Sequence, residues 1–149
     1  MAGAQVLDIL LVEDNEDHAL LTADALHGVR IDGTTTRVHV VSDGDGAVAF
    51  LRRQGCYVDA PRPDLILLDI RMPNRDGFDV LREIKADQSL QIIPTIILTT
   101  SDAEVDIVTS YRLGANEYVI KPVSADQYLT KVQAIPQYWI KVSAMPPKG

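Results

Sequence analysis

The sequence predicts an α/β fold, a doubly wound parallel sheet with helices on both faces. Strand-like runs alternate with helical patterns from residue 7 to residue 135 of the 149-residue chain, and this alternation is typical of parallel sheets with right-handed crossovers. The segment 65–68 is wholly aliphatic, as expected of a strand that is buried on both faces. The predicted elements are strands 7–12, 36–41, 64–68, 94–99 and 117–120, and helices 16–29, 44–54, 77–87, 104–113 and 125–135.

Local signals justify these elements in chain order. The first helix has one face of small and aliphatic residues, which are Ala19, Leu20, Ala23 and Leu26. The segments 28–35 and 55–63 are predicted loops, and the second contains two prolines and a glycine. Val80, Leu81 and Ile84 share a face of the third helix, and Gly114 stops the fourth. Pro136 is expected to end or kink the last helix, because proline lacks the amide donor.

Composition and charge exclude several classes of protein. The net charge of −7 argues against nucleic-acid binding, which depends on Lys and Arg. Cys56 is the only cysteine, so an intrachain disulfide is impossible and a reducing compartment fits. No apolar run is long enough for a membrane span, and the first residues do not resemble a secretory signal. We therefore expect a cytoplasmic protein that does not bind membranes.

Polar residues end four of the predicted strands. Glu13 and Asp14 follow the first, Asp69 the third and Lys121 the fifth, and Thr99 closes the fourth. Because ligands of open α/β sheets bind at the carboxyl ends of the strands, these residues are expected to form one site. We interpret it as a site that binds a divalent metal and accepts a phosphoryl group on Asp69.

Three carboxylates in one place favour a bound cation, since like charges repel unless a cation lies between them. An oxygen-only site with few protein ligands suits Mg²⁺, which keeps several waters and shares a phosphate. Two of these carboxylates and a backbone carbonyl from the loop after Asp69, that of Arg71, would complete it. The alternative is a set of ordinary surface acids at strand ends.

The residue set Glu13-Asp14, Asp69, Thr99 and Lys121-Pro122 resembles the receiver domain of two-component response regulators. The separations 99 − 69 = 30 and 121 − 99 = 22 also match that family. The resemblance implies a flavodoxin-like fold with strand order 2-1-3-4-5, one receiver domain over 1–149 with a core at 6–135, and a C-terminal extension at 136–149. Only 149 − 121 = 28 residues follow Lys121, so we expect no output domain.

The same resemblance assigns roles to the site residues. Asp69 would be the phosphoacceptor, supplied by the phosphohistidine of a sensor histidine kinase. Asp14 and Asp69 would bind Mg²⁺ directly and Glu13 through water. Thr99 and Lys121 would hold the phosphoryl oxygens, and Tyr118 matches the aromatic switch residue.

A narrower resemblance points to small regulators that partner bacterial phytochromes. The matching segments are Phe50-Leu51, Gly55, Tyr57, the run from Ala60 to Asp69, Leu98-Thr99-Thr100-Ser101 and Tyr138-Trp139. It implies a bacteriophytochrome as the sensor kinase. Arg71 departs from the family, which often has a small or amide residue two positions after the phosphoacceptor.

An apolar stripe near the C-terminus predicts a homodimer contact. Its members recur at helical spacing: Ile135, Tyr138, Trp139 and Val142. Tyr and Trp are favoured interface anchors. The alternative is that the stripe folds back on its own domain.

Two other functions compete with a signalling receiver that is not an enzyme in its own right. A phosphatase with an aspartyl-phosphate intermediate of the haloacid-dehalogenase type requires a second acid two residues after its nucleophile, where this chain has Arg71. A receiver-like binding module that is never phosphorylated would have no need of the complete set of site residues.

Overall fold

The structure, a computed structural model, describes residues 5–147, so the outermost residues of the predicted 1–149 domain lie outside the described residues. The strands are β1 (Gln5–Val12), β2 (Arg30–Ile31), β3 (Thr34–Val41), β4 (Leu65–Leu68), β5 (Thr95–Thr99) and β6 (Glu117–Ile120). The helices are α1 (Glu16–Leu26), α2 (Gly44–Leu51), α3 (Gly77–Ala86), α4 (Glu104–Arg112) and α5 (Ala125–Lys141). A short 3-10 helix spans Gly55–Tyr57.

The sheet order is β2-β3-β1-β4-β5-β6. The five longer strands are mutually parallel, and their order confirms the predicted 2-1-3-4-5. The two-residue strand β2 was not predicted. It pairs antiparallel with the start of β3, with Arg30 opposite Thr35. Asp32 and Gly33 make the turn between these strands with φ values of 48° and 83°.

Helices cover both faces of the sheet. Residues of α2 and α3 pack with Leu10, Ile66 and Ile97 into one apolar cluster. Residues of α1 and α5 pack with alternate residues of the same strands into a second cluster, since successive side chains of a strand point to opposite faces. The predicted face of α1 is partly wrong, because Leu20 is 64% exposed. The buried residues of that helix are Thr22, Ala25 and Leu26.

Polar caps fix the starts of four helices and thereby set where the loops of the site turn. The capping residues, whose side chains accept a backbone N–H three positions later, are Asn15, Asp43, Asp76 and Ser124. Such caps satisfy donors that the first turn leaves unpaired. None of the helices between residues 5 and 147 has both the length and the hydropathy needed to span a bilayer.

The sequence predicts that Pro136 ends or kinks the last helix, and the helix does not end there. It continues to Lys141 with Pro136 inside it. Pro136 is buried, and Trp139 and Ile140 pack against the cluster formed by α1 and α5. Packing of the following turn therefore outweighs the hydrogen bond that proline removes.

Candidate functional site

The sheet brings the predicted site residues to one edge. Glu13 and Asp14 follow β1, Asp69 follows β4, and Lys121 follows β6. Backbone hydrogen bonds extend the ladders into these residues: the amide of Glu13 donates to Val41 O at 3.0 Å and that of Asp69 to Val12 O at 3.1 Å. The amide of Lys121 donates to the carbonyl of Thr99 at 2.7 Å.

Three carboxylates meet at this edge. Glu13, Asp14 and Asp69 each offer an oxygen, and the three oxygens lie within 4.8 Å of one another. Glu13 is buried at 2% exposure, Asp14 is exposed, and the Asp69 side chain is 12% exposed. The exposure of Asp69 is thus intermediate between that of buried Glu13 and that of exposed Asp14.

Lys121 supplies the buried positive charge of the cluster. Its side chain is 4% exposed, forms an ion pair with Glu13, and places Nζ 3.7 Å from Asp69 Oδ2. One ammonium group therefore serves two carboxylates. Burial, and secondarily the neighbouring Asp69, raise the pKa of Glu13 to about 7 even though Lys121 opposes the shift. Without another cation, Glu13 binds a proton far more readily than an ordinary carboxylate.

The donor set fits a hard divalent cation. Glu13 Oε2 is buried and has no hydrogen-bond partner among residues 5–147, although a buried carboxylate oxygen normally has one. Oxygen ligands with a net negative charge are the ligands that Mg²⁺, Mn²⁺ and Ca²⁺ prefer. The backbone amide of Arg71 donates to Asp69 Oδ1 at 3.2 Å, so the loop after β4 lies beside the acids. Coordination by the Arg71 carbonyl stays a prediction.

Gly77 allows the loop after Asp69 to close tightly. A Cβ at this position would lie 2.3 Å from Asp69 O and 2.6 Å from Ile70 Cα. The amide of Gly77 also donates to Ile70 O at 3.1 Å. Since both obstructing atoms are backbone atoms, any larger residue would displace the peptide that carries Asp69.

Thr99 ends β5 and is hydrogen bonded to the loop that leads to α4. Thr99 is fully buried, and its Oγ1 accepts the amide of Ser101 at 3.4 Å. Ser101 Oγ donates to Asp106 Oδ2 at 2.6 Å, and the guanidinium of Arg71 donates to the same oxygen at 2.5 Å. Asp106 is only 5% exposed. The Arg71 side chain therefore joins the loop after Asp69 to the first turn of α4, a contact that the sequence did not indicate.

Tyr118 and His18 complete the surroundings of the site. The Tyr118 hydroxyl donates to Ser101 O at 2.9 Å, and desolvation raises the pKa of that hydroxyl. His18 Nδ1 lies 3.1 Å from Lys121 Nζ and 3.5 Å from Glu13 Oε1. Burial and the charge of Lys121 lower the pKa of His18. Sequence reasoning missed His18, although its position one turn after Asp14 would have placed it at this edge.

The predicted interface stripe is divided in the structure. Ile135 is buried and Trp139 packs against the cluster formed by α1 and α5. Tyr138 is 46% and Val142 72% exposed. Half of the stripe therefore contacts its own domain, and half faces outward.

The comparisons with known proteins agree with this geometry. Residues 9–133 match the family model of the response regulator receiver domain. The chain belongs to that family. It is 44% identical to response regulator Rcp1 of Synechocystis sp. over 113 residues, which covers 76% of this chain and 75% of that protein.

Solved structures give the same result. The phosphorylated cyanobacterial phytochrome response regulator RcpA superposes with a TM-score of 0.88 at 40% identity, covering 95% of this chain and 99% of that chain. The Mn²⁺-bound form of Rcp1 has a TM-score of 0.86 at 39% identity, with the same coverage. The predicted family and fold are confirmed.

Proposed function

We propose that this chain is a response regulator that accepts a phosphoryl group on Asp69 from the phosphohistidine of a sensor kinase. The observation that carries the proposal is the position of Asp69, which is reachable from solvent yet lies 3.7 Å from the buried ammonium of Lys121. In the transfer, an Asp69 oxygen attacks phosphorus, the P–N bond breaks, and the imidazole leaves. Apart from this transfer and the later hydrolysis of the adduct, we assign no enzymatic activity.

Mg²⁺ is the cofactor that we propose for this reaction. Asp14, Asp69 and the Arg71 carbonyl would hold it directly, and Glu13 through water. When bound, it would neutralise charge on the carboxylates and on the transferred phosphoryl oxygens. The close approach of the three acids supports this assignment, and so does the Mn²⁺-bound form of Rcp1.

Thr99, Lys121 and Tyr118 would convert phosphorylation into a change of surface. Lys121 now shares its charge between Glu13 and Asp69, and a new phosphoryl group would draw it into a strong charge-assisted hydrogen bond. The hydroxyl of Thr99 would donate to another phosphoryl oxygen. Movement of Thr99 would alter the loop at Ser101, to which Tyr118 is hydrogen bonded. The output surface would then be α4, β6 and α5.

A phytochrome-type histidine kinase is the proposed partner. Two relatives support it: RcpA is a cyanobacterial phytochrome response regulator, and AtBRR is a bacteriophytochrome response regulator, 37% identical with a TM-score of 0.70. We expect the exchange to take place in the cytoplasm, without nucleic acid or membrane as a partner.

Intact-mass measurement tests the phosphoacceptor. Incubation with acetyl phosphate and Mg²⁺ is expected to add one phosphoryl group to the wild type and none to Asp69→Asn, whose amide is isosteric but not nucleophilic. A lasting adduct fits a receiver, rapid release of phosphate fits a phosphatase, and no adduct fits a binding module. Phosphorylation of Asp69→Asn to the wild-type extent would remove Asp69 from the proposed role.

Lys121→Ala separates acceptance of the phosphoryl group from signalling. We expect slow phosphorylation but no response of Tyr118, because the charge that couples the adduct to β6 is gone. NMR of the Tyr118 ring before and after phosphorylation measures this. Lys131→Ala is a suitable control, since that exposed lysine donates to a backbone carbonyl, Ile120 O. A normal Tyr118 response in Lys121→Ala would contradict the coupling.

We also propose a homodimer that uses the outward half of the C-terminal stripe. Tyr138, on the last turn of α5, and Val142, the residue that follows the helix, are exposed apolar groups. Sedimentation of the full chain should give a dimer at tens of micromolar, and Tyr138→Asp should shift it to monomer. Val58→Asp is the control, because Val58 is an apolar residue that is 64% exposed elsewhere on the chain. If the wild-type protein sediments as a monomer at that concentration, the proposed homodimer is wrong.

A further inference from the structure

A groove opens at the amino ends of the strands, the edge of the sheet opposite the acidic site. Its volume is about 690 Å³, which lies in the range of small-molecule sites. Four of its lining residues are arginines, namely Arg37, Arg52, Arg53 and Arg62. The chain has nine arginines and a net charge of −7, so the clustering of four in one groove opposes the charge of the whole protein.

The acids beside the groove leave much of this positive charge available. Asp8 is buried and accepts Arg37 Nε at 2.7 Å, but the Arg37 side chain remains 49% exposed. Glu83 pairs with Arg75 at 2.7 Å and lies 4.0 Å from Arg52. The third nearby acid, Asp64, accepts the amide of Asp8 at 2.8 Å. The Arg53 side chain has no hydrogen-bond or ion-pair partner within residues 5–147.

Arg62 is held in place for recognition. Its guanidinium donates to Ser89 Oγ at 3.1 Å and to Ser89 O at 2.5 Å. These bonds fix the side chain across the groove before any ligand arrives, which lowers the entropic cost of binding. Leu51, Pro61 and Leu90 provide apolar wall beside the guanidinium groups.

Arg53 occupies a backbone position that is unfavourable for arginine. The amide of Arg53 donates to Phe50 O at 3.2 Å and that of Gln54 to Ala49 O at 2.9 Å, which is the Schellman pattern that ends a helix. Arg53 therefore takes φ of 54°, where glycine is usual. The other non-glycine residues between 5 and 147 with positive φ are Asp32 and Asn74, types that tolerate it better. A strained arginine that faces a basic groove points to a functional side chain.

We propose that this groove binds an organic diphosphate of the nucleoside diphosphate class. Guanidinium groups bind phosphate oxygens in pairs, and several arginines around one groove match two adjacent phosphates better than one. The apolar wall would contact the organic part. This site is separate from the phosphoacceptor site and does not depend on the function proposed above.

Calorimetric titration with ADP in EDTA tests the proposal. We expect saturation below about 1 mM, weaker binding as salt increases, much weaker binding of adenosine, and NMR shifts at the amides of Arg53 and Ser89. Absence of saturation up to about 5 mM ADP would overturn it. Equal binding of adenosine would also overturn it, and so would binding of an acidic peptide but not of ADP.

Arg53→Gly distinguishes binding from folding. Glycine relieves the positive φ, so the thermal midpoint should stay within about 2 °C of wild type or rise, while ADP binding weakens by about tenfold or more. Arg82→Ala is the matched control, because it removes the same charge from the exposed face of α3 and should leave binding unchanged. Unchanged ADP affinity in Arg53→Gly, or equal losses in both variants, would refute the assigned groove.

Discussion

Strand β1 has a buried carboxylate near each end, and the two differ in the charges that face them. Asp8 is 1% exposed, and its Oδ1 accepts Arg37 Nε at 2.7 Å and contacts His39 Nε2 at 2.9 Å. Glu13, just after the strand, is 2% exposed and pairs with Lys121, which also lies 3.7 Å from Asp69 Oδ2. Its Oε1 lies 3.5 Å from His18 Nδ1. Burial and Asp69 raise the pKa of Glu13 to about 7.

The difference separates a carboxylate whose charge the protein itself balances from one at the proposed metal site. At the Asp8 end the protein supplies the positive charge itself, so nothing further is required for stability. At the Glu13 end three acids lie close together, and one lysine pairs with two of them, Glu13 and Asp69. The excess negative charge is balanced when a cation or a proton binds. Sites that act on ligands commonly retain such unbalanced interactions at a cost in stability.

The largest expected effect comes from binding of a divalent cation. Mg²⁺ at about a hundredfold over its Kd should raise the free energy of unfolding by roughly 2.7 kcal/mol, because it binds only the folded site. Urea unfolding with and without Mg²⁺ measures this gain. Asp14→Ala should abolish it, whereas Asp24→Ala, an exposed acid on α1, should keep it. An equal gain in Asp14→Ala would remove Asp14 from the metal site.

At the opposite edge of the sheet, stability should depend on the guanidinium group of Arg37 and not on Mg²⁺. Arg37→Ala leaves buried Asp8 without its guanidinium partner, and we expect a loss of about 2 kcal/mol in unfolding free energy with or without Mg²⁺. Arg82→Ala breaks an exposed pair with Asp79 and should cost less than about 0.5 kcal/mol. If the two variants lose the same stability, Arg37 does not balance the charge of buried Asp8. Asp8 and Glu13 would then not differ in the way proposed.

The positions of the phosphoacceptor site were predictable because few physical rules decide them. Aliphatic runs define buried strands, and the carboxyl ends of parallel strands meet at one edge. Asp69, Thr99 and Lys121 could therefore be placed together before any contact was known. The turn that precedes β3 was predictable, because Asp32-Gly33 is a strong hairpin signal. Strand β2 itself was not, because its two residues are too few to show an alternating pattern.

Other features depend on tertiary contacts that no local pattern carries. The bond from Arg71 to Asp106 joins residues 35 positions apart, and either residue alone reads as an ordinary surface charge. Pro136 lies inside α5 because Trp139 and Ile140 find a packed surface beyond it. The predicted helix end at residue 135 is therefore wrong, since burial of the next turn outweighs the hydrogen bond that proline removes.

The smallest expected effect sharpens the comparison at Glu13 itself. Asp69→Asn removes the charge that helps to raise the pKa of Glu13, so in EDTA the variant should be more stable than wild type by about 1 kcal/mol at neutral pH. A carboxyl group whose pKa is raised on folding stabilises the fold while protonated and loses that contribution as pH rises through its folded value. The advantage of Asp69→Asn should therefore grow as pH rises toward about 7 and level off above that value. Urea unfolding from pH 5.5 to pH 8.5 measures it, with Asp79→Asn as an exposed control. A constant difference across this range would show that Asp69 does not govern the ionisation of Glu13.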